Sequence, residues 1–250
     1  MWTWAQHWRN LLFLHWQASP ASVRRYLPSG LEVDTRDGGA WISLVLFRLK
    51  VRPTWLPFLP GLSSLTEVNL RTYVTCRGRP GIYFLTLHAD NRWAIRLARW
   101  LTPLRYRWAC LSYKQVSGEF FFAGHVGASP STEWSLAFRP AGDAWTPDND
   151  SLDAWLLERY RAFVESREGD LLVGEVAHTP WFVRKVELIT TLNPVGPEWG
   201  VEFSRPPDRM HFAEGVTVRF ARFRRLVPGR SQQNFGDKKV GETSSLWVEH

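Results

Sequence analysis

Between Thr66 and Thr75 the chain reads TEVNLRTYVT. Alternate residues separate into two sets: Val68, Leu70, Thr72 and Val74 on one side, Glu67, Asn69, Arg71 and Tyr73 on the other. A period of two is that of a β-strand, whose side chains project alternately to opposite faces. The first set is a core face. The second combines an acid, an amide, a guanidinium and a phenol, and it has two readings. On the outside of a sheet it is a solvated face. On the inside of a closed sheet it lines a pocket for a small polar ligand, with Glu67 and Arg71 placed to pair with each other.

Further extended runs surround this one. LEVDTRDGGAWISLVLFRLKVR holds the turn signal Asp37-Gly38-Gly39 and predicts a hairpin. RGRPG separates the Thr66–Thr75 run from IYFLTLHA and predicts an antiparallel pair. RYRWACLSYKQV, GEFFFAGHVG, TEWSLAFRP, DLLVGEVAH, VRKVELITTL and GVTVRFARFRRLV read as strands too. The total is nine or ten.

Helices are few. The first structured element is a short helix capped by Ser19, with Pro20 at its first position and Val23 and Leu27 on one face. DNRWAIRLARWL is capped by Asp90 and carries a stripe of Trp93, Ala94, Leu97, Trp100 and Leu101. DNDSLDAWLLERYRAFV is capped by Asp150 or Ser151 and buries Leu152, Trp155, Leu156, Tyr160 and Phe163. PTWLPFLPGLSS reads as an ordered loop that presents aromatic rings. With no βαβ rhythm and no GxGxxG, the fold class is mainly β (α+β). The sheet is largely antiparallel and closed or strongly bent, because closure removes exposed edges. One domain is expected over residues 1–228, followed by a polar, mobile tail over 229–250.

Composition narrows the function classes. The 15 Trp and 15 Phe suit a core or pocket with wide spaces between layers. No apolar run reaches the ~18 residues of a membrane span. MWTWAQHWRNLLFLHW is interrupted by Arg9 and His15 and lacks the basic start of a signal peptide. Only Cys76 and Cys110 occur, without CxxC, so a reducing, cytoplasmic setting is expected, with both thiols packed as small hydrophobes. The net charge is +7, with arginine clusters but no RNP, helix-turn-helix or zinc-finger pattern. The expected partner is therefore a small anionic or carbonyl ligand, with no membrane partner and no specific nucleic-acid recognition.

A second chemical candidate is HTPWFV. His178 ends a strand that Pro180 interrupts, and Trp181 follows. A histidine there is suited to proton transfer near neutral pH; its other reading is a half-buried ring bonded to backbone. His211, with Glu214 close by, has the same two readings. His7, His15, His88, His125, His178 and His211 are scattered without metal-ligand spacing, and GxSxG and HExxH do not occur. No metal and no cofactor are expected. Lys114 lies nearest a strand centre and is either an imine-forming amine or a surface residue.

WRNLLFLHW, LPSGLEVDTRDGGAWISLVLFRL, LPGLSSLTEVNLRTYV, HTPWFVRKVEL and HFAEGVTVRFARFRRLV follow one another in this order across nearly the whole chain. Together they resemble the YqjF-like family of uncharacterised bacterial proteins. That family is similar in fold to acetoacetate decarboxylase, a cone-shaped, mostly antiparallel β-barrel around a closed pocket. The resemblance therefore implies such a barrel with two or three peripheral helices. It favours the reading in which Glu67, Asn69, Arg71 and Tyr73 line that pocket, with Glu67 matching a pocket carboxylate; His178 and Trp181, from the pattern of HTPWFV, complete the expected ligand-binding set. Acetoacetate decarboxylase forms an imine through a lysine in a Gly-aromatic-Pro-Lys-Lys stretch. The matching region here, LTPLRYRWACL, offers Arg105 and Arg107 and no lysine, and Lys114 is out of register. An arginine stays charged and cannot form the imine. The expected function is binding of a small organic acid or carbonyl compound without an imine. The alternative is a lyase- or hydrolase-type enzyme in which Glu67 and His178 act as acid and base and Arg71 holds the anion.

Overall fold

The computed structural model describes residues 2–53, 64–125, 133–190 and 205–227. The tail from 229 and nearly all of the PTWLPFLPGLSS loop lie outside the described residues. In chain order the elements are β1 (Trp2–Ala18), α1 (Pro20–Arg24), β2 (Glu32–Val33), β3 (Ala40–Pro53), β4 (Ser64–Cys76), β5 (Arg79–Ala89) and α2 (Arg92–Leu101). Then come β6 (Arg107–Trp108), β7 (Cys110–Val116), β8 (Glu119–His125), β9 (Trp134–Trp145), α3 (Leu152–Leu157) and β10 (Arg161–Glu165). The described chain ends with β11 (Leu171–Ala177), β12 (Val183–Leu188), β13 (Arg209–Ala221) and β14 (Arg224–Val227). The fold is mainly β, with three helices among the described residues, as the sequence predicts.

Seven strands close on themselves in the order β11-β10-β5-β4-β3-β1-β13, and β13 pairs back to β11. All the pairings in this ring are antiparallel except β10 with β5. An arm of β12, β9, β8 and β7 continues from β13 and folds over the outside of the ring. Leu12, Leu14, Leu44, Leu46, Val68 and Leu70 of the ring pack there against Phe120, Phe122, Leu136 and Phe138 of the arm. The opposite faces of the same ring strands point inward, where Leu11, Phe13, Val45 and Phe47 cluster with Ile95 and Trp181. β4 is thus covered on both sides, and every residue from Leu65 to Val74 is buried. The acid–amide–guanidinium row does not face water.

Several local expectations hold. Ser19 caps α1, and its side chain accepts from the Ser22 amide at 3.2 Å. Arg77 and Gly78 both take positive φ, 52° and 73°, the backbone of a two-residue hairpin turn between β4 and β5.

Others are corrected. The first structured element is β1, not a helix. Its stretch from Leu11 to Trp16 is buried on both faces, so no alternation shows. The run before Asp37 does not pair with the run after it. β2 joins β4 instead, while Arg36 and Gly39 close the turn alone. Asn91, not Asp90, caps α2, because Asp90 Oδ1 already accepts from the Thr66 amide at 2.9 Å. Ser151 caps α3, which ends at Leu157; Phe163 belongs to β10. α2 buries Ile95, whereas its stripe of Trp93, Leu97, Trp100 and Leu101 is exposed and Ala94 half-buried. Short pieces such as β2, β6 and β14 raise the strand count to fourteen among the described residues. Cys76 is buried as expected, whereas Cys110 is exposed at the start of β7.

Candidate functional site

β4 positions the site by alternation and register. Glu67, Asn69 and Arg71 lie beside Phe47, Val45 and Ser43 of β3, and beside Ala89, Leu87 and Phe84 of β5. Their side chains line an interior cavity of about 290 Å³. Arg159, His178 and Trp181 line it as well, and the rest of the wall is mostly apolar, including Val45, Phe47, Phe84 and Ala162. Its rim is α2, through Leu97, Trp100 and Leu101, which also reach solvent.

α3 packs against the cavity, with Leu157 on its wall and Leu156 and Leu157 both buried. The last carbonyls of a helix lack intrahelical partners and need donors from elsewhere. Here side chains supply them. Arg159 Nε donates to Trp155 O at 2.7 Å, Tyr73 Oη to Leu156 O at 2.9 Å, and Trp181 Nε1 to Leu157 O at 2.9 Å. The Trp181 amide donates to Glu158 Oε1 at 2.8 Å. Arg159 and Trp181, both on the cavity wall, are therefore tied to the end of α3.

Glu67 is sealed from water. Its Oε1 accepts from Asn69 Nδ2 at 3.0 Å and its Oε2 from the Tyr106 hydroxyl at 2.9 Å. Burial pushes its pKa up to about 7, although the hydrogen bonds from Asn69 and Tyr106 pull the other way. The acid is therefore poised between its two protonation states near neutral pH. Tyr106 is held well above the usual phenol range, by burial and then by the Glu67 charge, so it remains a donor.

The expected pairing of Glu67 with Arg71 does not occur. Both oxygens of Glu67 are occupied by Asn69 and Tyr106. Arg71 is 7% exposed, and its guanidinium has no acidic partner and no hydrogen bond among the described residues. Its carbon lies 5.6 Å from the centre of the Phe13 ring. Arg71 Nε and Asn69 Oδ1 are both buried without hydrogen-bond partners. By contrast Arg159, also on the cavity wall, is held by Asp34 at 2.7 Å. One Nη of Arg159 is also unpartnered; buried polar atoms are nearly always satisfied, so three orphans on one cavity wall mark a place for a ligand's polar atoms.

His178 shares the cavity but makes no hydrogen bond to Glu67. Its Nδ1 donates to Thr179 O at 2.8 Å, and its ring lies between Tyr160 and Trp181, 4.7 and 5.0 Å away centre to centre. That bond fixes the tautomer with Nε2 as the acceptor. Burial lowers its pKa, so the ring is neutral. Tyr73, the fourth residue of the β4 row, is not on the cavity wall. Its hydroxyl is committed to Leu156 O and to Ser43 Oγ at 2.6 Å. Lys114 is exposed on β7, as are Lys50 and Lys185, and no lysine lines the cavity among the described residues.

Sequence reasoning passed over Tyr106 and Arg159. Tyr106 sits between Arg105 and Arg107, which are both exposed while it turns inward. The alternation of RYR carries that signal, since it sets Tyr106 on the face opposite the two arginines. Arg159 lies in the segment expected to continue α3, where no period would single it out. No group of three or more His, Cys, Asp or Glu side chains among the described residues is arranged to hold a metal ion.

Comparison with known proteins agrees with this architecture. The profile of a family described as an uncharacterised conserved protein, DUF2071, matches residues 5–217. The uncharacterised protein YqjF of Bacillus subtilis (strain 168) is 35% identical over 221 residues, covering 88% of this chain and 91% of its own. Two solved structures share the fold at low identity. The enduracididine biosynthesis enzyme MppR complexed with pyruvate gives a TM-score of 0.64 at 14% identity, over 90% of this chain and 91% of that one. Acetoacetate decarboxylase from Legionella pneumophila gives 0.60 at 12% identity, over 91% and 90%. The fold is acetoacetate decarboxylase-like.

Proposed function

The chain belongs to the DUF2071 family of uncharacterised conserved proteins, and from that premise we propose that its barrel binds a small organic acid or carbonyl compound without an imine-forming lysine. One observation carries this reading: the buried guanidinium of Arg71 faces the cavity with no acid among the described residues to neutralise it. A buried charge without a partner is costly, and a carboxylate is the bidentate match for a guanidinium. Asn69 and Tyr106 add neutral polar atoms, and the apolar wall takes the carbon skeleton. The exposed positions of Lys50, Lys114 and Lys185 support a route without an imine. The structural neighbour whose solved complex holds pyruvate, a keto acid, supports a small organic acid as the ligand.

Thermal-shift titration with pyruvate, acetoacetate and longer straight-chain carboxylates tests the reading. A saturable rise in melting temperature for at least one acid, absent for its amide and absent in R71Q, is the expected result. No shift from any of them would remove the proposal. Borohydride added with a ketone should leave the protein mass unchanged.

A second reading is supported by the Glu67 pKa of about 7. An acid so placed can give or take a proton at neutral pH, with His178 Nε2 on the same cavity wall as the second proton carrier and Arg71 holding the anion. In this lyase- or hydrolase-type reaction E67Q would bind the acid as before but lose turnover. Proton NMR of candidate acids incubated with both proteins separates binding from conversion.

A further inference from the structure

α2 turns most of its apolar stripe to solvent. Trp93 is 69% exposed and Trp100 81%, with Leu97 and Leu101 close to half exposed. Two tryptophans and two leucines on one flank form a contiguous apolar patch that a soluble surface rarely carries without a partner. The adjoining flank is basic: Arg92, Arg96 and Arg99 recur at one-turn spacing and are all exposed. From Asn91 to Gly118 the sequence has five arginines, one lysine and no acidic residue. Past the helix end, Arg99, Arg105, Arg107 and Arg167 line a surface groove beside Trp108. The acids there are Glu168, on the groove wall, and Glu165, 3.8 Å from Arg105.

We propose that α2 docks on an anionic lipid surface, lying in the plane of the bilayer with Trp93 and Trp100 at headgroup depth and the arginines against lipid phosphates. A helix with Trp and Leu on one side and arginine on the other is the recurrent form of an interfacial anchor, and its ten residues span about 15 Å. Charge selects the partner. A second copy of this chain would bring a like-charged face against the first, whereas an anionic leaflet neutralises it. The absence of a membrane-crossing helix among the described residues does not bear on docking of this kind. Leu97, Trp100 and Leu101 also rim the interior cavity. Docking therefore sets the cavity mouth against the bilayer and gives amphipathic ligands a path that avoids water.

Sedimentation of the full chain with extruded vesicles tests this. Binding to phosphatidylcholine vesicles containing about 30% phosphatidylglycerol should exceed binding to pure phosphatidylcholine roughly tenfold or more, and should fall as salt is raised. W93S and, separately, R92Q/R96Q should each weaken it several-fold. R25Q/K185Q, which removes two positive charges elsewhere, should leave it unchanged. Equal binding to neutral and anionic vesicles would overturn the proposal. So would equal losses in the control and helix variants, or a lipid-free dimer that W93S dissociates. Unaltered melting temperatures in the variants keep a folding defect from imitating the expected result.

Discussion

Nδ1 of His211 lies 3.2 Å from Nε2 of His15, and both rings are sealed inside the barrel. The contact is one link in a longer row. His211 Nε2 lies 3.1 Å from Asp153 Oδ1, and His15 Nδ1 lies 2.6 Å from Ser43 Oγ, which in turn meets Tyr73. Tyr73 Oη gives its one proton to Leu156 O, so Ser43 donates to Tyr73 and accepts from His15 Nδ1, and His15 Nε2 accepts from His211 Nδ1. A proton on His15 would break that order and place a charge beside Arg71.

The first prediction follows from this. His15 is held well below its ordinary pKa of 6.5, by burial, then His211, then Arg71. The unfolded chain takes up that proton below pH 6.5 and the folded chain does not. Stability is therefore complete above 6.5 and falls as pH drops below it, by at most about 1.4 kcal/mol per pH unit for this one group. His88, lowered to about 4 by burial and then Arg107, adds a loss of the same sign. Thermal melts from pH 7.5 to 5 should show falling melting temperatures, and H15Q should flatten only part of the slope.

Glu67 predicts the opposite sign. Its folded pKa of about 7 lies above the unfolded value of 4.5. The stability linked to its proton is complete below 4.5 and is lost as pH rises through 7, for a total on the order of 3 kcal/mol. Glutamine does not ionise and fills nearly the same space. E67Q should therefore match the wild type near pH 5 and gain on it steadily towards pH 8. A melting-temperature difference that does not change with pH would show that Glu67 is not buried as described.

How much of this was legible in the residues depends on how each strand is covered. β4 showed its period because its outward residues are apolar and its inward ones polar, although both sets are buried. β1 hid its period for the converse reason. Leu11 to Trp16 is buried on both sides, and Asn10, at φ 54°, lies within a register shift that offsets the faces along the strand. The polar row Glu67, Asn69 and Arg71 was readable as a candidate lining, but its pairing was not. Tyr106, far along the chain, takes the Glu67 oxygen that Arg71 was expected to hold. Likewise the apolar period of α2 indicated a helix correctly but left open which way its stripe faces. Period alone does not distinguish a face packed on a core from one open to a partner.

A third prediction concerns the cost of keeping Arg71 unpaired. Leucine at this position would remove a buried guanidinium whose Nε has no partner, a gain of roughly 1–3 kcal/mol before any loss of packing on Phe13. R71L should melt at or above the wild-type temperature without ligand, yet show no shift with any carboxylate. Stability and binding would then move in opposite directions, as expected of a residue kept for its ligand. A clear destabilisation in R71L would instead make Arg71 part of the framework.

The last prediction tests closure of the ring at one of its two thinnest seams. β5 and β10 are joined in parallel through two residue pairs, Ala162 with Ile82 and Phe163 with Tyr83. Gly81 sits at this seam. A Cβ there would lie 2.6 Å from the Phe163 ring and 2.8 Å from the Arg161 carbonyl oxygen, and a backbone atom cannot rotate away. G81A must push the two strands apart, at a cost of about 1–3 kcal/mol, or a fall of roughly 2–10 °C for a chain of this size. Gly78, three residues earlier, has open space around its missing Cβ but a φ of 73°. G78A should cost only about 1 kcal/mol through that conformation. Ile82 and Ala162 line the cavity beside the seam, so G81A should also weaken any carboxylate shift, whereas G78A should leave it intact. Thermal melts of the two variants with and without ligand measure both effects. Equal behaviour would mean that the barrel does not depend on this closure.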